Sequence, residues 1–285
     1  MKGTKNRGIS LMLLPLYFFS LVLVAAPMCY LLVLSFGKRA QVWGVLPEFT
    51  VQNYADILNP TYLGTFLQSL KLSLISTFFI ALLGYPYGYF MAKLSPQWKK
   101  RMMLLLLIPF FINSLIRLYG WIILLRSGGP LDRLLFLIRA ADQPLHLLYT
   151  YPAVVAGMVY ALLPFMILTV YSSAEKLDWQ LIEAARDLGA GPLQTFLTIT
   201  WKLTLPGLLA GVILTFIPSM GMFYIADILG GNKVVLVGSI IEDQLLKTHN
   251  LPFAAALSVV LMLLTILLIS LYKRVTRSSM GEEIR

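Results

Sequence analysis

The sequence predicts an all-α integral membrane protein with six transmembrane helices, on three observations. First, 58% of the 285 residues are apolar and 13% charged, where soluble domains carry roughly half and a quarter. Second, residues 9–36 and 251–272 hold no charge at all, and each run is long enough to cross a hydrocarbon core of roughly 30 Å at ~1.5 Å per helical residue. Third, no strand-like alternation is present, and lipid admits only helices and closed barrels as spanning structures.

Six apolar segments follow in order, at residues 9–36, 66–92, 102–125, 149–171, 207–230 and 251–272. The N-terminus (Lys2, Lys5, Arg7), the 93–101 loop (Lys93, Lys99, Lys100, Arg101) and the C-terminus (Lys273, Arg274, Arg277, Arg285) are basic. An even number of spans puts all three on one face, which the positive-inside rule makes the cytoplasm. The net charge of +10 then reads as membrane topology rather than nucleic-acid binding. The basic start resembles a secretory leader, but its apolar run is too long and Ala25-Ala26-Pro27 is a poor cleavage site, so an uncleaved first span is expected. Residues 1–285 read as a single transmembrane domain, with 172–206 its longest cytoplasmic segment.

Residues outside that segment say less about chemistry. Cys29, the single cysteine, lies in an apolar run and reads as a packing residue. His146 and His249 fall in different outer loops without metal-ligand spacing. Neither a metal site nor a catalytic site is expected. Internal prolines and glycines such as Pro86, Pro109, Pro164 and Gly221 suit close packing and kinks in membrane helices.

The cytoplasmic segment carries the clearest local pattern. Asp178 is placed as an N-cap and Gly189 as a left-handed stop, which predicts a helix between them, and Pro192 fits the first turn of the next. Leu181, Ala185 and Leu188 share one face with Ile182 beside them, while Glu183, Arg186 and Asp187 point elsewhere. Such a two-sided helix between spans calls for a partner or a lipid surface.

Glu183-Ala184-Ala185, three residues, Gly189, nine residues and Ile199 resembles the cytoplasmic EAA motif of binding-protein-dependent ABC importer permeases. The resemblance implies the type I importer permease fold, and a coupling helix, including Glu183, Ala184, Ala185, Asp187 and Gly189, that docks on an ATPase. One departure is Trp201-Lys202, where the family usually has Leu-Pro. Further runs, Phe49-Thr50-Val51-Gln52-Asn53-Tyr54, Asn113 to Gly120, Tyr171-Ser172-Ser173 with Glu175 to Asp178, and Met220 to Asp227, resemble the PotB-type permeases of spermidine/putrescine importers. That likeness implies a PotC-type second permease, a PotA-type ATPase dimer that uses ATP and Mg, and a PotD-type substrate-binding protein. The chain has no Gly-x-x-x-x-Gly-Lys-Ser/Thr loop to cradle phosphates, so no cofactor is expected on it.

For a cationic solute, Asp227 is the one acidic residue inside a predicted span, and intramembrane ionisable groups are functional candidates. Tyr224 lies three residues before it and Phe223 four before it, so a carboxylate and aromatic rings share a helix face suited to an ammonium group. Three readings stay open: Asp227 meets solute, Asp227 neutralises Arg117 at similar depth in span three, or Asp227 already lies in the outer loop. Asn113 and Trp121, one turn either side of Arg117, are secondary lining candidates. Permeases for other small solutes (an opine, sulfate, ferric iron) are the nearest alternative. A stand-alone ion-coupled transporter would call for an inverted repeat and broken helices, and no convergent acid, base and nucleophile set marks an enzyme.

Overall fold

The computed structural model describes residues 15, 17–40, 44–138 and 143–281. Residues 9–14 and 16 of the first expected span, and the basic residues Lys2, Lys5, Arg7 and Arg285, lie outside them. The spanning helices are α1 (Tyr17–Ser35), α3 (Pro60–Lys93), α7 (Tyr151–Ala174), α9 (Pro192–Gly221) and α12 (Leu251–Gly281), plus a bent pair made of Pro96–Phe111 and Ser114–Leu137. Between them lie a two-stranded hairpin, β1 (Lys38–Arg39) with β2 (Val45–Leu46), and the short helix α2 (Gln52–Ile57). The bent pair comprises α4 (Pro96–Leu107), then a 3-10 turn (Ile108–Phe111), α5 (Ser114–Leu125) and α6 (Pro130–Leu137). The remaining helices are α8 (Trp179–Asp187), α10 (Phe223–Gly230) and α11 (Val237–Leu246).

Two expectations are corrected. The third span, expected as one helix over 102–125, is broken by 95° between Phe111 and Ser114. Pro109 cannot continue the ladder into the preceding turn, and the Asn113 side chain accepts from Leu115 N at 2.9 Å, capping a new helix. The fifth span, expected at 207–230, instead runs from Pro192 to Gly221 and stops at Met222, whose φ −79° and ψ 58° are not helical. Asp227 therefore sits on the separate helix α10. These breaks also remove broken helices as a feature that sets this chain apart from secondary transporters.

The chain divides into two compact units: the described residues up to Leu63 with Ile240–Leu264, and Gly64–Ser239 with the end of α12. In the first, buried Asn53 donates to the carbonyls of Ser35 (2.8 Å) and Gly37 (2.9 Å), while Tyr54 bonds Ser35 Oγ and stacks near Phe36. The Phe49 to Tyr54 run is thus the lid on the end of α1. Ile57, Phe253, Ala256 and Leu257 form this unit's core. Cys29 is exposed on α1, against the expected packing role, because α1 buries almost none of its surface within the chain.

The second unit is built around α7. Its neighbours approach so closely that side chains are excluded: a Cβ on Gly88 of α3 would lie 2.8 Å from the Ile167 carbonyl oxygen, and one on Gly207 of α9 would lie 2.6 Å from that of Thr169. Helices in lipid gain little from the hydrophobic effect and associate through such close backbone contact. Met158, Leu162, Met166, Ile167 and Val170 of α7 are fully buried in consequence. At its N-terminal end, buried Asp132 accepts from Gly128 N (2.7 Å) and Leu145 N (3.1 Å), pinning the loop that precedes α7.

Gly88→Val is expected to lower the melting temperature of the purified protein, at a cost of about 1–3 kcal/mol for overpacking. Gly64→Val, where a Cβ meets nothing within 4 Å, is expected to leave it nearly unchanged. Differential scanning fluorimetry of the two variants checks this.

Candidate functional site

Two regions of the second unit bring together the residues singled out from sequence. The first is a polar cluster inside the apolar layer, where the broken ends of α5 and α10 meet α7. Ser114, Arg117 and Leu118 of α5, Tyr160 and Ala161 of α7, and Tyr224 and Ile225 of α10 line one small cavity. The Arg117 guanidinium lies over two rings, 5.3 Å from the Phe110 centroid and 5.7 Å from that of Tyr160. Its Nε is enclosed without a hydrogen-bond acceptor, and Arg117 makes no ion pair among the described residues. The ring faces thus hold a cation in an apolar layer, an arrangement of ~2 kcal/mol when desolvated.

Asp227 is turned differently. It is half-buried, and its Oδ1 accepts from Ser239 Oγ at 3.3 Å. Ser239 is held at the start of α11, where Val237 N donates to buried Ser69 Oγ at 2.8 Å and Gly238 packs against the Gly221 carbonyl. Tyr224, one turn earlier on α10, faces Ser114 and Arg117, and the Phe223 ring meets Tyr224 edge-on at 6.3 Å. Asn113 serves as the cap of α5. Trp121 packs edge-on against Tyr160 at 5.6 Å and lines a 660 Å³ apolar groove with Ile75, Phe79 and Val155. Sequence reasoning takes Tyr160 for a belt or packing residue and misses Phe110 and Ser239, because their partners come from other segments and no spacing along the chain encodes that.

The second region is the helix α8, between α7 and α9. The Asp178 side chain accepts from Gln180 N at 3.0 Å, capping its start. At its end Gly189 adopts φ 86°, with Gly189 N donating to Arg186 O (2.9 Å) and Ala190 N to Ala185 O (3.0 Å). This double bond pattern is the Schellman stop that a glycine makes possible. Ile182 is buried, whereas Leu181 is 47% exposed, Leu188 89% and, beyond the turn, Leu193 70%. Glu183, Ala184 and Asp187 are exposed and Ala185 is half-buried, so a row of leucines and charges is left for a partner. The 172–206 segment is mostly helical, since α7 extends to Ala174 and α9 begins at Pro192. Trp201-Lys202 continue α9 after a π-turn at Phe196–Thr200, so no break replaces the family's Leu-Pro.

Beside α8, the Tyr171 hydroxyl donates to Glu175 Oε1 at 2.6 Å and Lys99 Nζ approaches the same oxygen at 3.4 Å. The Tyr171 bond first, then Lys99, holds the Glu175 carboxyl below the usual carboxylate range. A lowered value favours the folded form above that range, so this tie weakens only as pH falls through it.

Broken and continuous spans, with a capped helix carrying exposed leucines between two of them, mark a multi-pass membrane protein. Residues 84–279 match the model of the binding-protein-dependent transport system inner membrane component. The chain belongs to that family and is a permease subunit of the inner membrane. It is 44% identical over 243 residues to the spermidine/putrescine transport system permease protein PotB of Escherichia coli, covering 85% of this chain and 88% of that one. With PotB of Haemophilus influenzae it shares 40% over 277 residues, 97% of each chain. A bacterial alginate ABC transporter, solved with an alginate pentasaccharide-bound periplasmic protein, contains a chain of the same fold at TM-score 0.76 and 15% identity, covering 96% and 95%.

Gly189→Val is expected to insert normally yet lose most transport, because a left-handed β-branched residue costs roughly 1–2 kcal/mol in the turn. Gly189→Asn, which tolerates that conformation, is expected to retain it. No side chain would clash there, so a loss shared equally by both variants would contradict the conformational explanation.

Proposed function

We propose that this chain is a permease subunit of an ATP-driven importer of polyamines such as spermidine and putrescine. The observation that carries the reading is the likeness to spermidine/putrescine permeases over nearly the whole length. In this reading a second, similar permease completes the solute path, a separate ATPase dimer consumes ATP with Mg, and a periplasmic or lipid-anchored binding protein delivers the solute. Both termini face the cytoplasm, in keeping with the basic 93–101 loop and with Lys273, Arg274 and Arg277 in the last turns of α12.

The mechanism is alternating access. Closure of the ATPase dimer pushes on α8 through Leu181, Leu188 and the charges of the Glu183-Ala184-Ala185 turn. Because α8 is tied to the spans on either side, the membrane helices shift about α7 and the cavity changes the side to which it opens. Asp227 supplies a negative charge and Tyr224 a ring on one helix, groups that suit an ammonium ion. Arg117 is seated on the rings of Phe110 and Tyr160.

Asp227→Asn in the complete importer is expected to cut spermidine uptake at least tenfold while the complex still assembles, a loss of about 1.4 kcal/mol or more. Adding Arg117→Gln separates the readings. Continued loss of uptake in an assembled complex supports solute contact, whereas restored uptake means that the two charges served only to balance each other.

A further inference from the structure

At the end of α3 nearest α8, Lys93 is surrounded by rings rather than carboxylates. Its Nζ lies 4.3 Å from the Tyr89 centroid, 5.4 Å from Trp179 and 5.8 Å from Phe90. An exposed lysine at the last residue of a helix ordinarily points into water, favoured there by the helix dipole alone. Lys93 instead folds back one turn along α3 and bridges to the first residue of α8. It forms no ion pair among the described residues.

The rings continue from there. Tyr89 meets Trp179 at 6.0 Å and Phe196 at 6.5 Å. Phe196 meets Trp201 at 6.3 Å, and Tyr85 packs on Trp201 at 5.5 Å while its hydroxyl bonds Thr204 Oγ1 at 2.8 Å. One aromatic cluster therefore joins the end of α3, the start of α8 and the start of α9. Phe196 opens the π-turn at Phe196–Thr200, and such turns mark places where a helix adjusts its register. Trp201, one of the residues that depart from the family's usual Leu-Pro, closes one end of this cluster against Tyr85 and Phe196.

We propose that Lys93 is a positioning residue for transport: its cation, held over Tyr89 and Trp179, fastens α3 to α8 so that movement of α8 is passed to the span. This rests on the importer reading above. A cation over ring faces resists separation yet slides without a fixed bond angle, which suits a joint that must move and stay closed. The ammonium adds a second attraction between the same two helices to the tilted ring contact of Tyr89 and Trp179.

The test uses the complete importer in nanodiscs, with hydrogen exchange of residues 85–93 and 179–188 compared without nucleotide and with ATP and vanadate. In the unmodified complex both segments are expected to change together. In Lys93→Met the change at 179–188 is expected to remain and that at 85–93 to fall about fivefold, the order of one exposed cation–π contact, with Lys93→Arg restoring it. Spermidine moved per ATP hydrolysed, read in proteoliposomes, is expected to drop with it while ATP hydrolysis continues. An unmodified complex that moves no spermidine counts against the polyamine reading and leaves the exchange result intact. Equal exchange changes in Lys93→Met and the unmodified complex overturn the joint. Lys93→Gln replaces Lys93→Met if the latter does not assemble, and failure of both to assemble also overturns it, as the mark of a purely structural residue.

Discussion

Close approach of backbones to α7 is the constraint on which the second unit depends. In lipid there is no hydrophobic gain in bringing one apolar helix to another, so association rests on contact between surfaces that fit. Gly84 and Gly88 on α3 and Gly207 and Gly211 on α9 remove the side chains that would hold their helices away, and Gly157 of α7 does the same for Leu229 of α10. Small residues at these positions let neighbours pack closely along α7.

That packing also allows the broken spans. Unpaired backbone groups are costly in a membrane and persist only where protein or a cavity satisfies them. The break at Met222 is covered by Gly238, and the break before Ser114 is closed by the Asn113 side chain. Both breaks direct polar residues inward: Ser114 and Arg117 from one, Tyr224 and Asp227 from the other. The polar cluster is thus a product of interrupted helices, and rigid continuous spans would have carried the same residues past one another.

Much of the architecture was legible in the sequence because its signals are local. Long apolar runs pointed to the spans, Asp178 and Gly189 bounded α8, and the EAA spacing pointed to the family. What was hidden depends on contacts between segments. Apolar content does not distinguish 192–206 from a loop, since its threonines and Pro206 look irregular until Thr204 is seen bonded to Tyr85 and to the Thr200 carbonyl. Likewise the sequence left open what Asp227 meets, and no spacing along the chain shows that Arg117 lies over rings of α7 and of the 3-10 turn or that Asp227 accepts from Ser239. Hydropathy alone could not locate the breaks, because the residues around Ile112 and Met222 are as apolar as the spans they interrupt.

The surface on which a separate ATPase is proposed to act is α8. Leu188, exposed and at the end of that helix, is the place to measure it: Leu188→Cys, with Cys29→Ser to remove the other thiol, labelled with a maleimide in membranes with and without the ATPase subunit. Slow labelling when the ATPase is present and fast labelling when it is absent is the predicted result. Equal rates in both membranes, with the complex shown to be assembled, would contradict it.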